Sequence, residues 1–565
     1  MAILPGYALF VISQWWSVVL QLVSTFWYER QLARYADHWL VQLAEIADLT
    51  ALEQGCATFH ASSGRGTPVT HAVPRLVRAL LIKYLEARSL RQTEELIDNH
   101  LLVKWFVGYE LFERPPDHST LSRFEQWVFS HQPRLFFDEV LRLIDQLCPE
   151  DRERLQIVDT FGMHARAAKT YLIELIRALC QKLLTHLAEV DPARHTALVA
   201  QVDLIALFGA EGERITAALS ARGRAERLQV VGRQALRLGR LLAASLDQAP
   251  TLVPDAQAPL RLWLAALAKV IADETTCTSP NPDDPDEIIL VERKHGQKGS
   301  YRLGSATDLD PTYRKHDDEH EALLGYNPIV LSTVVFHREI QAVTGAQPDN
   351  VALPEVLQSQ FDHHGFFPKY LAGDMKFGYG KTRALVADLT ADQTQIIAFV
   401  PDYDRRTDLF GPRDFTLADD GLSLTCPNGQ TTDRRYLTEG KGGADFRFPP
   451  SLCHDCPLWN QCRGPDSKKT VPRGVFISFY RSHIDAALIF NQTDTFKLGI
   501  KQRMNIERHI FVLTHFFGAR HAQSYGLPRT DFQLKMQAAA ANLRQLVREV
   551  LKKRSTQAPL RPLAA

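Results

Sequence analysis

Three acidic residues stand where side chains can do chemistry. Asp159 ends the short β-branched run RLQIVDTFG (Arg154 to Gly162), and Asp374 ends the strand pattern KYLAGDMKFG (Lys369 to Gly378), with glycines around it. Glu507 lies inside an apolar helical stripe of Met504, Ile506, Ile510 and Leu513. A carboxylate among apolar side chains must be paired, hydrogen-bonded or bound to a metal, because a bare buried charge costs too much. Carboxylates from two strand ends and one helix can together hold a hard divalent cation such as magnesium, which keeps positions open for water and phosphate oxygens. Two such ions ~3.5–4 Å apart activate a water or a 3′-hydroxyl and stabilise the leaving oxygen of an in-line phosphoryl transfer. A plainer account of Glu507 also stands: an i, i+4 ion pair with Arg503, with Arg508 and His509 alongside.

A second constellation is the cysteine cluster Cys426-x26-Cys453-x2-Cys456-x5-Cys462, with Pro427, Gly429 and Pro457 supplying turns. Four thiolates form a tetrahedral zinc site, and His454 between two of the cysteines could replace one. Reduced thiols in a loop-rich insert are the alternative, and a CxxC redox pair a third, without a thioredoxin-like unit around it. Cys56, Cys148, Cys180 and Cys277 are scattered and read as small core residues. A long chain without an export signal argues against a disulfide framework.

The elements around these residues follow from periodicity. From Val73 a compact helical unit runs to Pro115-Pro116 and then to DHSTLSRFEQWV, where Asp117, Ser119 and Thr120 are good helix N-caps. Helix, break and capped helix fit a DNA-binding helix-turn-helix or a plain helical bundle. Beyond Asp159, stripes such as Leu172, Ile176, Leu179 and Leu183 imply long helices, closed by the proline-rich linker Ser279 to Glu287. Strand patterns then appear at Ile288 to Arg293, Pro328 to Phe336, Ile340 to Val343 and QIIAFVP, with helices at Leu353 to Phe361 and GKTRALVADL. That alternation predicts an α/β core in which functional side chains gather where strands end.

Composition bounds the partners. At 565 residues the chain supports several folding units, and its zero formal charge does not advertise a polyanion partner. Lys468 to Ala565, however, holds 17 Lys and Arg against 5 Asp and Glu, a net of +12 (17 − 5). A locally basic face suits nucleic acid, or is simply a solvated helix surface. Met1 to Tyr28 carries no charge and is long enough for a membrane span. Gln14, Ser17, Gln21 and Ser24 nevertheless draw a polar stripe along it, so an amphipathic helix buried in a core or subunit contact fits better. The expected location is the cytoplasm, with no membrane partner.

In combination these motifs resemble the DDE transposases of bacterial insertion sequences. PDHSTLSRFEQWV closes a stretch, Val73 to Val128, that looks like their helical DNA-binding region, and QIVDTFG places the family's first Asp on Asp159. GYNPIVLSTVV and AVTGAQPDNVALPEVL resemble the middle strands and the helix that follows, and YLAGDMKFG carries the second Asp at Asp374. RMNIERHIFVLTHFFGARHAQSYGL resembles the final helix, with Glu507 as third acid and Arg503 before it. Many relatives have a Tyr three residues before that Arg and a Lys seven after the Glu; here Ile500 and Thr514 stand there.

The resemblance implies an RNase H-like core that binds terminal inverted repeats, hydrolyses element ends and joins them to target DNA. Asp159, Asp374 and Glu507 would hold Mg2+ (or Mn2+), Arg503, Arg508 and His509 would face DNA, and the cysteines would hold a structural zinc. Lys376 is a possible DNA contact or a surface lysine. The implied division is 1–70, an N-terminal helical region, 71–150, a helical DNA-binding domain, and 165–285, a helical insertion. Residues 404–479 form the cysteine-bearing insert, and 151–164, 286–403 and 480–565 form the core. A homodimer or higher multimer on double-stranded DNA is expected, associated with the nucleoid. The rival is a non-catalytic, domesticated relative that only binds DNA; a membrane-tethered interaction protein rests on Met1 to Tyr28 alone.

Overall fold

The computed structural model describes residues 4–60, 70–209, 221–248, 253–279, 287–315, 321–400, 408–438, 440, 442–464 and 467–557. Ser62 to Gly66, whose serines and glycines break the helical sequence pattern, and nearly all of the expected linker Ser279 to Glu287 lie outside them.

A five-stranded mixed sheet positions the candidate acids. Its strands, β1 (Gln156–Thr160), β2 (Ile329–Ser332), β3 (His337–Gln341), β4 (Tyr370–Ala372) and β5 (Gln395–Ile397), stand in the order β5-β4-β1-β2-β3. β1, β2 and β3 pair antiparallel in turn, whereas β4 and β5 run parallel to β1. Parallel neighbours need crossovers, which the helices Asp349–His364 (before β4) and Gly380–Thr390 (before β5) supply. One face of the sheet buries Val158, Leu331 and Leu371 against Ala352, Leu353 and Val356 of the first of these helices. On the other, Ala372 and Ile397 pack with Phe496, Leu155 and Ile500. Burial on both faces explains why these strands read as apolar runs.

β3 would be an open edge, and the C-terminal helix Leu527–Gln557 closes it. Asn542 accepts from the His337 N–H and donates to the His337 carbonyl, both at 2.9 Å. Lys535 Nζ donates to the Ile340 carbonyl at 3.0 Å, and Asp531 accepts from the Ala342 N–H at 2.9 Å. Side chains from one helix face thus satisfy backbone groups that would otherwise template strand addition. The same helix shares a core with the N-terminal helices, in which Leu80, Phe124, Phe137, Ile144, Leu543 and Leu546 are buried together.

Arg338 staples that helical core to the sheet. It is 2% exposed, and donates through Nε (2.9 Å) and Nη2 (2.6 Å) to Asp151 and through Nη1 to Asp145 at 2.6 Å.

The expected helical stripes are buried: Ile176, Leu179, Leu183, Leu228, Val231, Leu238 and Leu242 form a separate core among the helices Leu172–Val190, Ala221–Gln248 and Pro254–Glu274. The strand expected at Ile288 to Arg293 does not join the main sheet. Ile289–Glu292 pairs antiparallel with Thr275–Thr278, at the end of the helical insertion. A local partner close in sequence wins over a distant sheet because the loop to be closed is shorter. The cysteine-bearing region builds two three-stranded sheets around Phe415, Phe446, Phe448, Val475 and Ile477.

The uncharged N-terminal stretch is helical from Leu4 to Arg34, but it turns the opposite way from expectation. Ser24, on the polar stripe, is buried and accepts from the Leu111 N–H at 2.9 Å, and the Tyr28 hydroxyl donates to the Tyr109 carbonyl at 2.7 Å. Trp16, Leu22, Phe26 and Trp27 are exposed. Two hydrogen bonds to otherwise unpaired loop backbone orient the helix, and Gln14 and Ser17 lie outside the described side chains. No described helix is long and apolar enough to cross a membrane.

Candidate active site

The parallel β1–β4 ladder brings two acids to one level. Ile157 pairs with Ala372, and Asp159 and Asp374 each follow two residues later. The side-chain period of two puts Asp159 on the face of Ile157 and Ala372, covered by the helices Asp494–Arg503 and Asn505–Phe516. Asp374, in the turn past β4, is near enough for its charge to act on Asp159. Gly373 permits the turn beneath Asp374, since a Cβ there would meet the Phe377 ring at 2.7 Å and Val158 at 3.0 Å.

Asp159 accepts from the Thr160 N–H at 2.8 Å. Burial raises its carboxyl to about 6; the Thr160 hydrogen bond and the Arg503 charge pull it down, while Asp374 and Asp349 push it up. Asp374 accepts from the Lys376 N–H at 2.8 Å and so caps the turn Met375–Gly378. Burial and the neighbouring carboxylates oppose ionisation of Asp159, and a divalent charge beside it would relieve both.

Arg503 ends its helix half-buried, with its Nε enclosed and without a hydrogen-bond partner among the described residues. The expected single helix breaks at Met504, and a new one begins at Asn505. Arg503 therefore acts on Asp159, and no ion pair among the described residues joins it to Glu507, which removes the plainer account of that carboxylate. Glu507 lies in the first turn of the second helix with its side chain exposed, while Ile506 and Leu513 anchor that helix in the core. Among the described residues, no three acidic, histidine or cysteine side chains stand close enough together to hold a metal ion. The structure thus brings Asp159 and Asp374 together and leaves Glu507 on the covering helix, outside that pair.

Arg508 is exposed beside Glu507, whereas His509 turns inward. The His509 ring meets that of His337 edge-on at 5.0 Å. Burial lowers it to about 4 against a hydrogen bond to Val334, so it is neutral near pH 7, without the charge that would attract a phosphate.

Sequence reasoning missed Asp349, the first residue of the helix Asp349–His364. It accepts from the Thr160 hydroxyl at 2.8 Å, from Asn327 Nδ2 at 2.7 Å and from Lys376 Nζ at 3.2 Å. Burial raises its carboxyl, but the bonds from Asn327, Thr160 and Lys376 outweigh this and leave it below its ordinary value. Arg314 completes the layer, donating to Asn327 and, at 3.4 Å, to the Thr160 hydroxyl. An acid opening a helix reads as an ordinary N-terminal residue, so its sequence carried no separate signal.

In the cysteine-bearing region, Cys426, Cys453, Cys456 and Cys462 all line one cavity of about 30 Å³ with Phe415, Phe448 and Trp459. Burial pushes the Cys453 thiol up, and the three neighbouring cysteines add to it. His454 instead bonds Asp455 at 2.8 Å on the surface. The four sulfurs share one hollow, but no three of them stand close enough together to hold a metal ion.

Two family models match the chain. One, described as a transposase domain (DUF772), covers residues 28–127. The other, a transposase DDE domain, covers 425–547 and so includes the four clustered cysteines, Arg503 and Glu507. No curated protein and no solved structure matches. Both models describe transposases. Together they support a DDE transposase of an insertion sequence.

Proposed function

We propose that this chain is a metal-dependent DNA transposase that binds the terminal inverted repeats of its element, cleaves at the ends and transfers them to target DNA. The observation that carries the reading is the placement of Asp159 and Asp374 at one level of adjacent strand ends, beside Arg503. Strand order β5-β4-β1-β2-β3, with the first three strands antiparallel and the last two parallel to the first, supports an RNase H-like core.

Asp159, Asp374 and Glu507 would hold Mg2+ or Mn2+, with Glu507 reaching the pair by a shift of its exposed side chain or its helix. Bound there, the cation supplies Lewis acidity and a lowered pKa for an attacking water or hydroxyl. Arg503 offsets the Asp159 charge, and the rest of its guanidinium would meet a DNA phosphate. Asp117 caps the helix His118–His131, accepting from the Thr120 N–H at 2.6 Å, and Ser119, Ser122 and Arg123 on its exposed face suit DNA. The four clustered cysteines would hold a structural zinc, and the chain would act as a dimer or higher multimer in the cytoplasm.

One observation favours the non-catalytic rival. Ile500 packs beside Ala372 and Phe496, and the buried Thr514 hydroxyl bonds the Ile510 carbonyl, so neither offers the phosphate contact of the family's Tyr and Lys. Incubation of purified protein with duplex DNA bearing its own element ends separates the two. Cleavage that requires magnesium and is lost in Asp159→Asn, with DNA binding retained, supports the enzyme. Undiminished cleavage by that variant refutes the catalytic assignment, and DNA binding without cleavage by the wild type leaves the rival.

A further inference from the structure

We infer that Asp349 is a positioning residue that fixes the spacing between Asp159 and Asp374. This deepens the reading above and rests on those two acids holding a cation. Each acid accepts a backbone N–H from one particular residue: Thr160 for Asp159 and Lys376 for Asp374, both at 2.8 Å. The side chains of these same two residues converge on Asp349, Thr160 through its hydroxyl at 2.8 Å and Lys376 through its ammonium at 3.2 Å. A continuous path therefore runs from one acid to the other through a single carboxylate, one oxygen serving each side.

Asp349 is itself braced. Asn327 donates to its Oδ1 at 2.7 Å and to the Gln347 carbonyl at 3.1 Å, and receives a hydrogen bond from Arg314. Its place at the start of a 16-residue helix adds favourable backbone dipoles. A helix-opening acid needs only those dipoles. Here the donors come from three separate segments: the end of β1, the turn before β2, and the turn after β4. Both oxygens are engaged by protein donors, so Asp349 acts on the two acids through Thr160 and Lys376. Outer partners of this kind set the orientation of metal-binding carboxylates, and losing one weakens metal affinity ~10–100-fold.

The test is Mn2+ binding to the full chain, followed by the magnetic resonance signal of free ion, for wild type, Asp159→Asn, Asp349→Ala, Asp349→Asn and Lys376→Met. Thermal melting without metal runs in parallel. The expected result is a wild-type site lost in Asp159→Asn and weakened ~10-fold or more in Asp349→Ala. Asp349→Asn, which keeps an acceptor for Thr160 but loses the Lys376 ion pair, falls between, as does Lys376→Met. In cleavage assays the Mg2+ concentration for half-maximal rate rises more than the maximal rate falls. Should Asp349→Ala not fold, Asp349→Asn and Lys376→Met carry the comparison. Folded variants with wild-type Mn2+ affinity overturn the positioning role alone. A wild type with no Asp159-dependent site overturns the metal reading and this inference with it.

Discussion

Asp159, near the end of β1, and Asp374, in the turn just past β4, each stand two residues beyond the paired Ile157 and Ala372. More than 200 residues of sequence separate them (374 − 159), and one sheet register removes the distance. The arrangement is costly while empty, because burial and neighbouring carboxylates both oppose ionisation of Asp159. That cost makes the pair testable by stability as well as by chemistry.

Asp159→Asn should stabilise the metal-free protein, and only above the acid range. The folded-state value of about 6 lies above the ordinary carboxylate value, so the native state retains a proton that the unfolded chain has lost. Stability then falls as pH rises from roughly 4 to 6, and above that the buried charge costs about 3 kcal/mol. Urea unfolding should show the variant more stable by ~2–3 kcal/mol at pH 8 and nearly equal to wild type near pH 4. Equal differences at both pH values would contradict this origin.

Arg338→Leu should be among the most damaging single changes. It leaves Asp151, 1% exposed at its side chain, with only the longer contact to Arg154 at 3.5 Å, and Asp145 with only the contact to Arg152 at 3.7 Å among the described ion pairs. Breaking a buried pair from one side costs roughly 3–5 kcal/mol. Chemical denaturation that finds less than ~1 kcal/mol would mean water reaches Asp151.

His509 gives acid lability. Its folded value of about 4 lies below the ordinary 6.5, so the unfolded chain takes up a proton first and stability is lost as pH falls from 6.5 towards 4. The fully buried His337 is lowered as well. His509→Gln should remove about 2 kcal/mol of the stability lost between pH 7 and pH 5, measured by urea midpoints. An unchanged acid limb would show that the ring is not held neutral.

Cys453→Ser should release zinc from the cysteine-bearing region and loosen the sheets built on Phe446 and Val475. Elemental analysis of purified protein should give one zinc per chain, and a chelator should lower the melting temperature. Metal-free protein that melts at the same temperature would remove the site.

Much of this was legible because local patterns carry it. A β-branched run ending in Asp marks β1, glycines around Asp374 mark the end of β4, and helical stripes mark the insertion's core. The cysteines announced themselves by spacing, although only folding places Cys426 against the other three. What was not legible depends on distant partners. Asp349 gains its meaning from Thr160 and Lys376. The break at Met504 sends Arg503 to Asp159, while the pattern on either side stays helical. Asn542 in an alanine-rich helix betrays nothing of the strand edge it pairs. Ser24 faces inward because loop backbone at Leu111 needs an acceptor, which outweighs the apolar side of its helix.

The most direct measurement is the anomalous diffraction of Mn2+ in crystals of the full chain bound to its element-end DNA. The account predicts manganese peaks touching Asp159 and Asp374, with the Glu507 carboxylate drawn in to complete the set. Manganese bound elsewhere, or a Glu507 that stays on the outside of its helix with DNA in place, would contradict it.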